Sequence, residues 1–118
     1  MESVVPADIL GVQVTEHGPD TRIVTVTGEL DALTAPVLAT ILIETLTAAQ
    51  VVVVDLDGVR YLASTGLRVL VEAKQLAAEH GSELRLVCHS PSANLVLDGS
   101  GLRDHFTFAD SVPPALGH

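Results

Sequence analysis

Apolar and polar residues alternate over 8–14 (DILGVQV), which predicts a first strand. Residues 21–29 (TRIVTVTGE) predict a second, with Ile23, Thr25 and Thr27 on one face and Val24 and Val26 on the other. Between them stands the turn cluster His17-Gly18-Pro19-Asp20, and so short a link predicts an antiparallel hairpin. The period then changes. Val37, Leu38, Ile41, Leu42, Thr45 and Leu46 recur at three- and four-residue steps, one apolar face of a helix, with Thr34 placed as its N-cap and Pro36 in its first turn. Four consecutive valines, Val51 to Val54, read as a strand buried on both faces. Asp55 and Asp57 end that run and Gly58 permits a sharp turn, after which Val59 and Leu62 return the chain to apolar packing. A second helix is expected over 64–80, burying Gly66, Val69, Leu70, Ala73, Leu76 and Ala77 and ending at Gly81. Arg68 and Glu72, four apart, are placed to pair on its exposed face. A strand over 83–88, a short helix opened by Ser90-Pro91 and finished by Gly99, and a last strand within 102–108 complete the pattern.

Strands and helices therefore alternate after an opening hairpin, which is an α/β arrangement with a mixed, mostly parallel sheet and crossover helices. A chain of 118 residues suits one domain, 1–118, with one core. With two Phe, one Tyr and no Trp, that core must be filled by Val, Leu, Ile and Ala. The net charge of −9 argues against nucleic acid as a direct partner, because phosphates would be repelled, and is compatible with a basic protein partner. A single cysteine, Cys88, rules out an internal disulfide. The opening MESVVPADILGV has no basic region and no long apolar core, and no apolar stretch approaches the roughly 20 residues of a membrane span. The expectation is a soluble, cytoplasmic protein without membrane insertion.

The candidate chemistry lies at the start of the second helix. Ser64 reads as its N-cap, and the positive end of the helix dipole would make a phosphate on that hydroxyl locally favourable. Thr65 would help present the loop. Gly66 either admits a partner's backbone or lets the helix pack tightly on the sheet, and the residues alone leave both open. A different chemistry is conceivable at Asp55-Leu56-Asp57-Gly58, since a carboxylate at the end of a buried strand is the nucleophile of haloacid-dehalogenase-type phosphatases and the phosphorylated residue of receiver domains. Both need a magnesium-binding acidic cluster and a neutralising lysine. The first strand offers only Asp8, the lone lysine, Lys74, falls mid-helix, and Val59 stands where the phosphatase motif wants Thr. Otherwise Asp55 hydrogen-bonds the loop and Asp57-Gly58 forms a turn. The histidines at 17, 80, 89, 105 and 118 lack paired metal-ligand spacing, and Cys88 and His89, adjacent on the expected strand, point to opposite faces. No metal, cofactor or catalytic residue is expected.

The segment Asp55-Leu56, then Ala63-Ser64-Thr65-Gly66-Leu67, resembles the signature of the STAS domain family, in particular its small bacterial anti-sigma factor antagonists. The phrase Gly28-Glu29-Leu30-Asp31, with Pro36 five residues after the aspartate, is similar to the family's junction between second strand and first helix. The resemblance covers about residues 8–112. It departs from the pattern where the residue before the serine is Ala63 rather than the family's common Asp. The resemblance implies a STAS-like fold and no enzymatic activity. It implies Ser64 as phosphoacceptor, and a partner surface drawn from Asp31, Ala63, Ser64, Thr65, Gly66 and Arg68. The implied partner is an anti-sigma factor that is also a serine kinase, with a serine phosphatase to reverse the modification. Within the family the alternative is a STAS scaffold or transporter-associated subunit on which no kinase acts.

Overall fold

The computed structural model describes residues 9–113. Two strands open it, β1 (Leu10–Glu16) and β2 (Thr21–Leu30), paired antiparallel from Leu10 opposite Gly28 to Glu16 opposite Arg22. This is the expected hairpin. Its first strand begins two residues later than expected, and Asp8 lies outside the described residues. Then follow α1 (Ala35–Ala48), β3 (Val51–Leu62), α2 (Ser64–His80), β4 (Glu83–Val87), α3 (Pro91–Ser100), a 3-10 turn at Arg103–His105, and β5 (Thr107–Phe108). The sheet order is β1-β2-β3-β4-β5, with every pair after the hairpin parallel.

That order decides where the helices go. Each crossover moves one strand further in the same direction, and right-handed crossovers taken in one direction put every helix on the same face of the sheet. The main core forms there. Val24, Val26, Val52, Val54, Leu56, Leu84 and Leu86 meet Leu38, Leu42 and Leu46 of α1, Leu67 and Leu70 of α2, and Ala93 and Leu97 of α3. On the opposite face a smaller cluster joins Ile23, Val53 and Val87, packed by Ala109 and Val112. The valine run is thus buried on both faces, as its composition predicts.

The central strand corrects the expectation that Asp55 ends it. β3 runs through Asp55, Asp57 and Gly58 to Leu62. Thr25 lies opposite Asp55 but Thr27 opposite Gly58, and Gly28 opposite Val59 but Glu29 opposite Tyr61. Each step inserts one extra residue on β3, so two bulges replace the predicted loop. They also explain the spacing. Strict alternation after Leu56 would bury positions 58 and 60, whereas the bulges rephase the strand so that Val59 and Leu62 are buried. Gly58 therefore makes no turn. A Cβ there would lie 2.7 Å from Thr27 Cγ2, too close for the neighbouring strand.

The helix signals read from the sequence fare better. Thr34 occupies the N-cap position of α1, α2 ends at Gly81 in the left-handed conformation, and the Ser90 hydroxyl accepts the Ala93 amide at the start of α3. In α2 Leu67 joins the buried stripe and Leu76 is only half-buried. Cys88 and His89 lie beyond the end of β4, in the connection to α3, and so do not alternate as strand residues.

Candidate functional site

Parallel strands β2, β3 and β4 all deliver their C-terminal ends to one edge of the sheet, the edge at which open α/β sheets place their sites. Three connections meet the surface there: residues 31–34, residue 63 and residues 88–90.

The first is a self-contained turn. The Asp31 carboxylate accepts the amides of Leu33 (3.0 Å) and Thr34 (3.1 Å). In return the Thr34 hydroxyl accepts the Asp31 amide (2.9 Å) and donates to the Glu29 carbonyl (2.8 Å). These bonds to the ionised form, led by the Thr34 amide, hold Asp31 below the usual carboxylate range. Asp31 thus has a structural task, anchoring the entry to α1, whatever it presents outward. Thr34 is consumed by that turn and makes no side-chain cap to α1. Held on the turn is Leu33, which is 75% exposed, and near the end of β3 Tyr61 is 53% exposed. Neither was singled out from the sequence. For Leu33 a signal existed: an isolated leucine in a polar turn serves no core.

The second connection is a single residue. The Ala63 amide donates to the Leu30 carbonyl (2.9 Å), tying the start of α2 to the end of β2. Ala63 is extended (φ −89°, ψ 167°) and its carbonyl accepts the Leu67 amide (3.1 Å), the first bond of the helix. The N-cap is therefore Ala63, and the expectation that Ser64 caps α2 is corrected: Ser64 is the first helical residue. Alanine has nothing with which to cap, and among the described residues no side chain accepts an amide of the first turn. The two hydroxyl residues Ser64 and Thr65 are exposed at this uncapped end, and Arg68, one turn on from Ser64, is exposed as well. Among the described residues Arg68 makes no ion pair with Glu72.

Gly66 explains how the helix start is seated. A Cβ on it would lie 2.7 Å from Leu30 Cγ, 2.9 Å from Leu62 Cδ1 and 3.0 Å from the Leu30 carbonyl oxygen. Gly66 is buried, which supports the reading of tight packing of helix on sheet. Together the Ala63 bond and the Gly66 contact place Ser64 beside the Leu30–Asp31 corner. Asp31, Ala63, Ser64 and Thr65 gather at that corner, with Arg68 a turn further along α2 and Gly66 beneath.

The aspartates of β3 are held in other work. Asp55 accepts the Asp57 amide (2.9 Å), and the Asp57 carboxylate accepts the His89 amide (2.7 Å) and lies 3.1 Å from His89 Nδ1. This contact raises the His89 pKa, and burial pushes the Cys88 thiol up. Among the described residues no three His, Cys, Asp or Glu side chains converge as a metal site would require, and no helix is long and apolar enough to cross a membrane.

Comparison with known proteins identifies the family. The family model of the STAS domain matches residues 12–115. The chain belongs to the STAS domain family. Solved structures share this STAS fold at low sequence identity. An anti-sigma factor antagonist from Mycobacterium paratuberculosis is 24% identical and superposes with a TM-score of 0.79 over 92% of both chains. The anti-sigma factor antagonist SpoIIAA in its unphosphorylated form is 16% identical, with a TM-score of 0.72 over 86% of this chain and 90% of that one. The Bacillus cell fate determinant SpoIIAA in its phosphorylated form gives 16% and 0.67, over 86% and 93%. No curated protein matches the sequence. At these identities the likeness establishes the fold.

Proposed function

We propose that this STAS domain is an anti-sigma factor antagonist whose binding is switched off by phosphorylation of Ser64. In its unphosphorylated state it would bind an anti-sigma factor that is also a serine kinase, releasing the sigma factor. A serine phosphatase would restore the binding form. The protein is a binding module and a kinase substrate rather than an enzyme. The observation that carries this reading is the exposed Ser64 hydroxyl on the first residue of an uncapped helix, at the edge where the 31–34 turn also surfaces. Structural relatives described as anti-sigma factor antagonists, one of them known in both phosphorylated and unphosphorylated forms, support it.

The physical switch follows from local electrostatics. A phosphoserine brings nearly two negative charges and three strong acceptors. At Ser64 these meet the open amides of the first turn and the positive end of the α2 dipole, and Arg68 lies one turn away on the same side of the helix. The fold tolerates the group. A partner seated over Leu33, Tyr61 and Ser64 does not, because the same charge must then be desolvated. Ala63 sharpens the contrast. An aspartate in its place would cap the helix and repel the phosphate, whereas alanine leaves the amides open to it. Incubation with a cognate anti-sigma kinase and ATP, followed by mass spectrometry, tests the assignment. One phosphate on Ser64, absent from Ser64→Ala, is expected; phosphate on Thr65 alone or on an aspartate rejects it.

A further inference from the structure

α1 and α2 pack side by side on the sheet, and between them on the outer surface runs a groove of about 290 Å³. Leu42 and Val69 form its floor, Leu76 and Ile43 its walls, and Ile43 is 54% exposed. Its rim carries Glu72 and Glu79, seven residues apart on α2 and so on one side of that helix. Both are exposed, and among the described residues neither is in an ion pair. Ser64 and Arg68 do not line it. From Val69 to Glu79 the groove follows α2 for about 15 Å, the length of roughly three helical turns.

We infer that this groove is a second docking surface, and that its occupant is a basic amphipathic helix of a partner protein. The apolar floor fits a stripe of side chains at i, i+3, i+4 and i+7, and the carboxylate rim fits lysines or arginines flanking that stripe. A second copy of this chain is a poor occupant, since it would bring the same two glutamates against themselves. The chain's net charge of −9 also draws a cationic segment from a distance. Because Glu72 lies two turns beyond Ser64, about 12 Å along the helix, a partner held here stays held whatever the state of the serine. This goes beyond the phosphorylation switch and does not depend on it.

The test uses the full chain and a fluorescein-labelled leucine–lysine amphipathic helix roughly 18 residues long, with a leucine–glutamate counterpart as control. The lysine probe should bind, shifting amide resonances over 39–43 and 69–79 and sparing Leu33 and Ser64. The double variant Glu72→Lys/Glu79→Lys and the single variant Ile43→Glu, all at exposed positions, should each weaken it by at least about tenfold. Ser64→Asp should leave it unchanged, which separates this surface from the switch. Equal binding of the glutamate probe, binding that survives charge reversal, or resonance shifts confined to Leu33 and Ser64 would overturn the inference. So would a concentration-dependent dimer, seen by sedimentation velocity, that Ile43→Glu abolishes, since the occupant would then be a second copy.

Discussion

Replacing Ala63 by aspartate isolates the uncapped helix start. Ala63 already has the extended backbone of an N-cap, and its carbonyl already accepts the first helical bond. Only the side-chain oxygen is missing. Supplying it should satisfy an open first-turn amide and place a negative charge at the positive end of the dipole, for a gain of about 0.5–2 kcal/mol. Ser64→Ala, by contrast, should change stability by less than about 0.5 kcal/mol, because Ser64 is exposed and caps nothing. Urea denaturation followed by circular dichroism measures both, with the midpoint shifting at constant slope. The two changes also diverge after phosphorylation. Ala63→Asp sets a carboxylate beside the phosphate, so the phosphorylated variant should lose much of the capping gain, while the parent should be unharmed or slightly stabilised by its phosphate. Two results would refute the reasoning: an Ala63→Asp variant no more stable than the parent, or a Ser64→Ala variant that loses a full cap's worth of stability.

Gly66→Ala is expected to destabilise despite the better helix propensity of alanine: overpacking against Leu30 and Leu62 costs about 1–3 kcal/mol against a propensity gain below about 1. A variant more stable than the parent by urea melt would mean that α2 does not rest on Leu30. For His89, held by Asp57, the folded pKa lies above the ordinary value of 6.5, so its contribution to stability is fully present below that value and fades as pH rises through the folded pKa. The His89 ring resonances followed by NMR should titrate above 6.5 in the parent and move back in Asp57→Asn, and an unmoved titration would show that Asp57 is not the cause.

The order and type of every strand and α-helix could be read from the sequence, though not the 3-10 turn at Arg103–His105, because the valine run, the 3.6-residue stripes and the turn residues all point the same way. What could not be read depends on contacts between elements. Nothing local distinguishes Ala63 from Ser64 as N-cap in Ala-Ser-Thr-Gly, and composition favours the serine. The choice is made by the Ala63 amide reaching Leu30 and by Gly66 sinking against the same residue, thirty-odd positions away in the chain. Likewise Asp55-Leu56-Asp57-Gly58 has the composition of a turn. Only the register against β2 shows that the strand absorbs it through two bulges, and only the fold brings His89 onto Asp57. The grouping of Asp31 with Ala63, Ser64 and Thr65 rests on family resemblance, and its role as a partner surface is a proposal. Asp31's bonding to its own turn and the exposed pair Leu33 and Tyr61 were not legible in the sequence.

The most direct measurement is the affinity for the cognate anti-sigma factor, by titration calorimetry, of the parent, the Ser64-phosphorylated protein, Ser64→Asp and Ser64→Ala. All four should have matching circular dichroism, since the charge sits at an open helix end. Ser64→Ala should bind as the parent does, Ser64→Asp more weakly, and the phosphorylated protein most weakly of all, in the order of the charge each places in the interface. Equal affinity across the four would contradict the switch, and Ser64 would then be an ordinary exposed residue at the start of α2.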